Sequence, residues 1–364
     1  MGGNKFKFDV VIGNPPYQEE TAQKKSKNGQ VTRTNIFQKF QEQADKITKE
    51  QVSLIYPGAR WLHRSGKGMK QFGLSQINDS HLKRIIFYPD ATQVFQNVDI
   101  TDGVTIVEKD LTCNNEKFEY EYVDGVVDKK ILLSHPGEKL IPLNPDFISI
   151  TNKINEVVRS KKYGWLSDSI YPRNLFGIES EFVEKNQDKV VPYNDGQAID
   201  STMKVKLLTN GKSGSAGRAE WFIVDRSIIS KNNKLINKYK VIVSSAHPGG
   251  QNNRDNQLRV VDNESTFGRS RVALKLFNSK DEAVNFYNYM KSNFIRFTLL
   301  LTDEKLTSFA KWTPDLMNYV NSGNIDFSSK NIDNSLYKLF NLTDSDINMV
   351  IQTVKGSETK GGEK

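Results

Sequence analysis

An apolar run cut off by two prolines does most to restrict what this chain can fold into. Phe8-Asp9-Val10-Val11-Ile12-Gly13 is rich in β-branched residues and ends on glycine, which predicts a buried strand that stops abruptly. Asn14-Pro15-Pro16-Tyr17 follows at once. Each proline fixes φ and lacks an N–H, so neither a helix nor a longer strand can pass through. The backbone there is stiff, and its carbonyl oxygens lack local donors.

Such a turn has a chemical use. The Asn14 side-chain oxygen and the Pro15 main-chain oxygen together can accept both hydrogens of an exocyclic amine. Two acceptors draw a conjugated amine toward tetrahedral geometry and localise its lone pair, while Tyr17 offers a face to a base that has left its stack. No strong base is needed. Asp9 to Tyr17 as a whole resembles motif IV of the N6-adenine DNA methyltransferases, in which Asn-Pro-Pro-Tyr is the catalytic loop. The resemblance implies that Asn14, Pro15, Pro16 and Tyr17 are the catalytic segment, that S-adenosyl-L-methionine is the cofactor, and that double-stranded DNA is the partner.

Beyond this loop the pattern is α/β. Lys24, Lys25 and Arg33 lie in a polar, aperiodic loop suited to phosphates. Ile36, Phe37, Phe40, Ala44 and Ile47 have helical spacing, with Thr34 or Asn35 as the cap. Val52 to Pro57 reads as a strand, Trp61 as core, Gly66 to Ser75 as a helix, and His81 to Tyr88 as another strand. Strand, loop, helix and strand in that order predict a parallel sheet. Val94 to Lys109 alternates around Asp102-Gly103 like a β-hairpin. It also resembles the family's motif VIII, which makes Phe95 the second residue expected against the adenine.

The resemblance also implies a cofactor-binding half, with a strand feeding a glycine-rich turn. No such pattern precedes Asp9 or appears later, and Gly66-x-Gly68 has the wrong flanks. The expectation is therefore the C-terminal part of a longer enzyme, whose N-terminal cofactor-binding half is missing. Residues 1–135 would form a partial Rossmann-like methyltransferase sheet, 136–354 a mixed α+β target-recognition domain, and 355–364 a disordered tail.

Short strands are expected at 205–208, 221–224, 240–244 and 272–277, and a single helix over 281–301. Arg173, Arg254, Arg269 and Arg271 sit among Asn, Gln and Gly, a mixture able to read guanine and adenine edges. The net charge of +8 suits phosphate contacts. No apolar run is long enough to span a bilayer, and no signal core is present, so a cytoplasmic location is expected. The lone Cys113 and the absence of clustered Cys and His predict no metal site. Two other functions fit the same residues: a DNA-binding specificity module without catalysis, or an Asn-Pro-Pro-Tyr enzyme acting on RNA or protein glutamine.

Overall fold

The computed structural model describes residues 7–20, 33–98, 100–212, 219–246, 258–302, 306 and 308–359. It comprises two units, Met1–Ile148 and Ser149–Lys364. Both are mixed α/β.

In the first unit, strand β1 (Phe8–Gly13) runs into the proline turn, and a short hairpin of β2 (Gln18–Glu20) and β3 (Arg33–Asn35) follows. Helix α1 (Phe37–Ile47), β4 (Thr48–Pro57), α2 (Ala59–Leu62), α3 (Met69–Ile77), β5 (Leu82–Tyr88), β6 (Val104–Asp110), β7 (Lys117–Asp124) and β8 (Val127–Ser134) complete it. Six of these strands form one sheet in the order β1-β4-β6-β5-β7-β8. β1 and β4 pair in parallel, as do β5 and β7. β6 runs against both β4 and β5, so the sheet is mixed where a parallel one was expected. The 89–103 segment explains the change of direction: it joins β5 to β6 as a long turn. Its first part, with Val94 and Phe95, is a turn rather than the predicted hairpin arm.

Alternation puts Val52, Leu54 and Tyr56 of β4 on one face, where Phe37, Trp61 and Phe72 pack against them. The Trp61 indole N–H donates to Thr105 Oγ1 at 3.0 Å, so the buried ring ties α2 to β6. Helix α1 is rotated from its expected face. Gln41 is buried while Phe40 and Ile47 are exposed, because Gln41 Nε2 donates to Asp45, which in turn pairs with the buried Lys109. Neither Thr34 nor Asn35 caps α1, since both lie in β3.

The segment after β8 belongs to this unit. Arg64 donates to the carbonyls of Gly137, Glu138 and Lys139, Tyr120 to that of Leu143, and Ile141 is in the core. The first unit therefore runs on to Ile148, past the expected limit at 135.

The second unit begins with α4 (Ile148–Lys161), β9 (Gly164–Trp165), α5 (Leu166–Ser169), α6 (Phe182–Lys185) and β10 (Val191–Pro192). There follow β11 (Lys204–Asn210), β12 (Ala219–Asp225), β13 (Tyr239–Ser244), β14 (Arg259–Val261), β15 (Ser265–Phe267) and β16 (Arg271–Phe277). The unit closes with α7 (Lys280–Lys291), α8 (Asn293–Leu300), β17 (Pro314–Asp315), α9 (Ile332–Leu339) and α10 (Asp344–Thr359). β10-β12-β11-β15 and β14-β13-β16 are its larger sheets. The four strands expected here are β11, β12, β13 and β16.

The single helix expected over 281–301 is two. Ser292 adopts an extended conformation and accepts from Ile295 N, while the Asp333 carboxylate accepts from Asn293 N and Phe294 N, so a second N-terminus is capped in mid-pattern. Residues 355–359, expected in the disordered tail, continue α10 behind the buried Val354. Residues 360–364 lie outside the described residues. No described helix is long and apolar enough to cross a membrane, and the described residues contain no cluster of three metal-ligating side chains.

Candidate functional site

β1, β4, β5 and β7 share one direction, so the segments that follow them emerge at one end of the sheet. Open sheets bind ligands outside the carboxyl ends of their strands. Asn14–Tyr17 follows β1, Gly58 opens α2 after β4, and Phe95 lies in the segment after β5.

The proline turn is held on both sides. Gly13 pairs with Leu54, and the Tyr17 carbonyl accepts from Ile36 N at 3.0 Å. Gln18 Nε2 donates to Asn35 Oδ1 at 3.1 Å across the β2–β3 hairpin. Between these clamps Asn14 and Pro16 are exposed and Pro15 is half-buried. No described residue donates to the Asn14 side chain or to the Pro15 carbonyl. Two adjacent acceptors thus stand open on a stiff backbone.

Tyr17 is half-buried against the core, and its hydroxyl is enclosed without a hydrogen-bond partner among the described residues. Burial pushes this phenol up to about 12, so it is neutral near pH 7 and unsuited to act as a base. Its ring is what remains for recognition.

Phe95 is half-buried, and its N–H donates to the Ala91 carbonyl at 2.9 Å. Its strand, β5, lies three strand spacings from β1, roughly 14 Å across the sheet. The topology therefore brings Phe95 to the same end as Asn14 without placing the two in contact. Close approach of the intervening loops depends on glycine. A Cβ on Gly58 would lie 2.8 Å from Phe87 and Thr105, and Gly103 has a positive φ, with its Cβ position 2.4 Å from the Tyr88 carbonyl. Gly58 N donates to the Gly103 carbonyl, Ala59 N donates to that of Asp102, and Arg60 pairs with Asp102 at 3.0 Å.

The strand that delivers the turn is an exposed edge, where a buried strand was expected. Five of its six residues are exposed, with Phe8 at 48%, Val10 at 51% and Ile12 at 75%. β4 covers one side, and the other has no paired strand among the described residues.

The basic residues separate. Arg33, in β3, makes an exposed 3.5 Å pair with Glu20. Arg173 donates to the Ser245 carbonyl at 2.8 Å, and Arg269 pairs with Glu179 at 2.8 Å. Arg271 is only 4% exposed, which corrects its assignment to a DNA-facing set. Lys24, Lys25 and Arg254 lie outside the described residues. A buried ionic network had no signal in the local sequence: Lys109 reaches Asp45 at 2.8 Å and Asp79 at 2.6 Å, beneath β4 and β6. Burial works to raise the Asp79 carboxyl, but hydrogen bonds and charge from Lys109, with hydrogen bonds from His81, hold it below the usual carboxylate range.

Comparison with known proteins gives this site a family context. Residues 2–95 match the Eco57I restriction-modification methylase family. A Methanocaldococcus jannaschii protein, RM.MjaORFECS2P, provisionally named a type II restriction enzyme and methyltransferase, is 24% identical over 256 residues, covering 64% of this chain and 20% of that protein. The chain thus spans about a fifth of that relative's length. Among solved structures, the type IIL restriction-modification enzyme MmeI in complex with DNA aligns over 96% of this chain and 54% of its own, at 7% identity and TM-score 0.40. The type IIG restriction endonuclease BpuSI aligns over 92% of this chain and 49% of its own, at 10% identity and TM-score 0.33. The family match and the curated relative support a restriction-modification methyltransferase as the class of protein to which this chain is similar.

Proposed function

We propose that this chain is the acceptor-base and DNA-recognition part of a site-specific adenine-N6 DNA methyltransferase from a restriction-modification system. The observation that carries this reading is the pair of open acceptors, Asn14 Oδ1 and the Pro15 carbonyl, on a clamped turn at the carboxyl end of the sheet. An adenine swung out of the duplex would donate its two N6 hydrogens to this pair. That orients the nitrogen lone pair and withdraws it from the ring. Tyr17 supplies an aromatic face, and Phe95 approaches from the same end of the sheet. The second unit, in this reading, is the target-recognition domain.

The residues present do not fit the methyl donor. Among the described residues, none of the strands β1, β4, β5 and β7 feeds a glycine-rich turn that opens a long helix. The glycine after β4, Gly58, is spent on close packing against Phe87 and Thr105 rather than on exposing backbone to a ligand. S-Adenosyl-L-methionine would be held by a separate half, and the exposed β1 edge is the place in this unit where such a half could extend the sheet.

Titration of the chain with S-adenosyl-L-methionine, alone and with adenine-containing duplex, tests the reading. No cofactor binding by the chain, together with methyl transfer to adenine once a cofactor-binding half is joined to it, is the expected result. Micromolar cofactor binding by the chain alone would overturn the division of labour, and transfer to RNA or protein but not to DNA would overturn the substrate.

A further inference from the structure

The second unit contains a cavity of about 660 Å3 between the C-terminal ends of α4 and α9 and the segment 316–327. Leu316 and Phe327 give it an apolar floor, and Lys161, Lys338, Asn318 and Asn341 stand on its walls. No described carboxylate lines it. A smaller cavity, about 310 Å3, sets Asp195 and Asp262 against Lys206 and Lys280 and is balanced in charge. The larger one is not balanced. Among the described residues neither Lys161, the adjoining Lys162, nor Lys338 has an ion-pair partner.

The segment on one wall is rigid and strained. Met317 has φ +65° yet is 64% exposed, so core packing does not call for its side chain there. The turn is imposed from beneath: the buried Asp315 carboxylate accepts from Met317 N at 3.0 Å, from the Tyr319 hydroxyl at 2.9 Å and from Lys275, while Leu316 N donates to the Tyr319 hydroxyl at 3.1 Å. Asn341 lines the same cavity and Lys162 adjoins it, but their positive φ is that of ordinary helix ends, closed by Tyr163 N to the Val158 carbonyl and Leu342 N to the Tyr337 carbonyl at 2.9 Å, so the strain lies at Met317. Over-determined backbone of this kind gathers where a surface must hold its shape for a partner.

We propose that this cavity and its wall are a contact surface for duplex DNA, an inference that rests on the DNA reading given above. Lys161, Lys162 and Lys338 neutralise phosphates of one strand seated over the cavity, and Asn341 donates to phosphate oxygens. The braced segment presents Asn318 to base edges and Met317 as an apolar wedge at the rim of a groove. Duplex DNA is the occupant favoured here, because the cationic walls carry amide donors and no carboxylate.

Fluorescence anisotropy of the full chain with a mixed-sequence duplex, across a range of salt concentrations, tests this. The double variant Lys161→Gln/Lys338→Gln should bind about tenfold more weakly near physiological salt, with a logarithmic salt slope smaller by about 2, since each phosphate contact contributes about 0.9. Met317→Gly removes the backbone strain, so it should leave Tm equal or raised while weakening binding severalfold. A merely structural Met317 would lose Tm instead, which would overturn its role. Wild-type binding with an unchanged slope in the double variant would overturn the surface but leave the DNA reading standing. A wild-type chain that binds no duplex, or prefers duplex RNA, would overturn both.

Discussion

The two outer strands of the six-stranded sheet are built differently. β8 carries Lys129 and Lys130, which pair with Asp146 and Glu121, and its Ile131 and Leu133 pack on the core. Lysine on an outer strand is an ordinary way to stop a sheet from growing. β1 has less of this protection, a single charge at Asp9 that pairs with Lys49 at 2.9 Å. It offers Val10 and Ile12 to solvent, has no lysine, and only Val11 is packed inward. One margin is finished and the other is open, and the open one carries the proline turn. On the proposed reading, the candidate site lies on the less protected margin of the sheet.

The sheet's centre sets the scale for this contrast. Lys109→Met in β6 strands Asp45 and Asp79 without their cation, and should cost about 3–5 kcal/mol, read as a large fall in urea midpoint. Lys129→Ala on β8 should cost no more than about 1 kcal/mol, because its ion pair is partly solvated. Equal losses would mean that β8 is not a solvated margin. The same network predicts acid sensitivity. The Asp79 carboxyl lies below its unfolded value, so its contribution is complete above the unfolded carboxylate range, near pH 4, and is lost as pH falls through the folded value. Asp79→Asn should flatten that part of the stability curve.

At the open margin, Asn14→Ala in the chain joined to a cofactor-binding half should lower methyl transfer about 10²- to 10³-fold, the scale of losing one oriented hydrogen-bonding group at a reacting centre. Asp124→Ala, beside the β7–β8 turn, should leave the rate within about twofold, as surface changes away from a site do. A rate unmoved by Asn14→Ala would separate the open margin from catalysis.

A smaller effect is expected from Ile12→Lys, which charges the exposed edge. It should change stability by no more than about 0.5 kcal/mol and reduce concentration-dependent association in sedimentation velocity, whereas Leu132→Lys on β8 should not alter association. The smallest effect belongs to Tyr17→Phe. Its hydroxyl is buried without a partner among the described residues, so its removal should leave Tm unchanged or slightly higher, and transfer should persist because only the ring is needed.

Much of this was legible in the residues. The strands at 52–57, 81–88, 205–208 and 240–244 follow from short apolar runs bounded by turn residues, and the stop after Gly13 from the two prolines. What escaped was non-local. Lys109 reads as a solvent-facing charge until Asp45 and Asp79, distant in sequence, are placed beside it. The break at Ser292 depends on Asp333, and the burial of Arg271 on its place opposite Ser244 of β13. The exposure of β1 could not be read from its composition, because an apolar strand announces a partner without saying whether that partner is present.

On the proposed reading, the stretch after β8 bears on how specificity is exchanged between related proteins. A chimera cut between 135 and 136 would remove Ile141 from the first core, leave Tyr120 without the Leu143 carbonyl and strip Arg64 of its three carbonyl acceptors. A splice after Ile148 keeps all of them with the proline turn. On that reading, recognition units are exchanged most safely after Ile148, at the start of α4, where none of these contacts is cut.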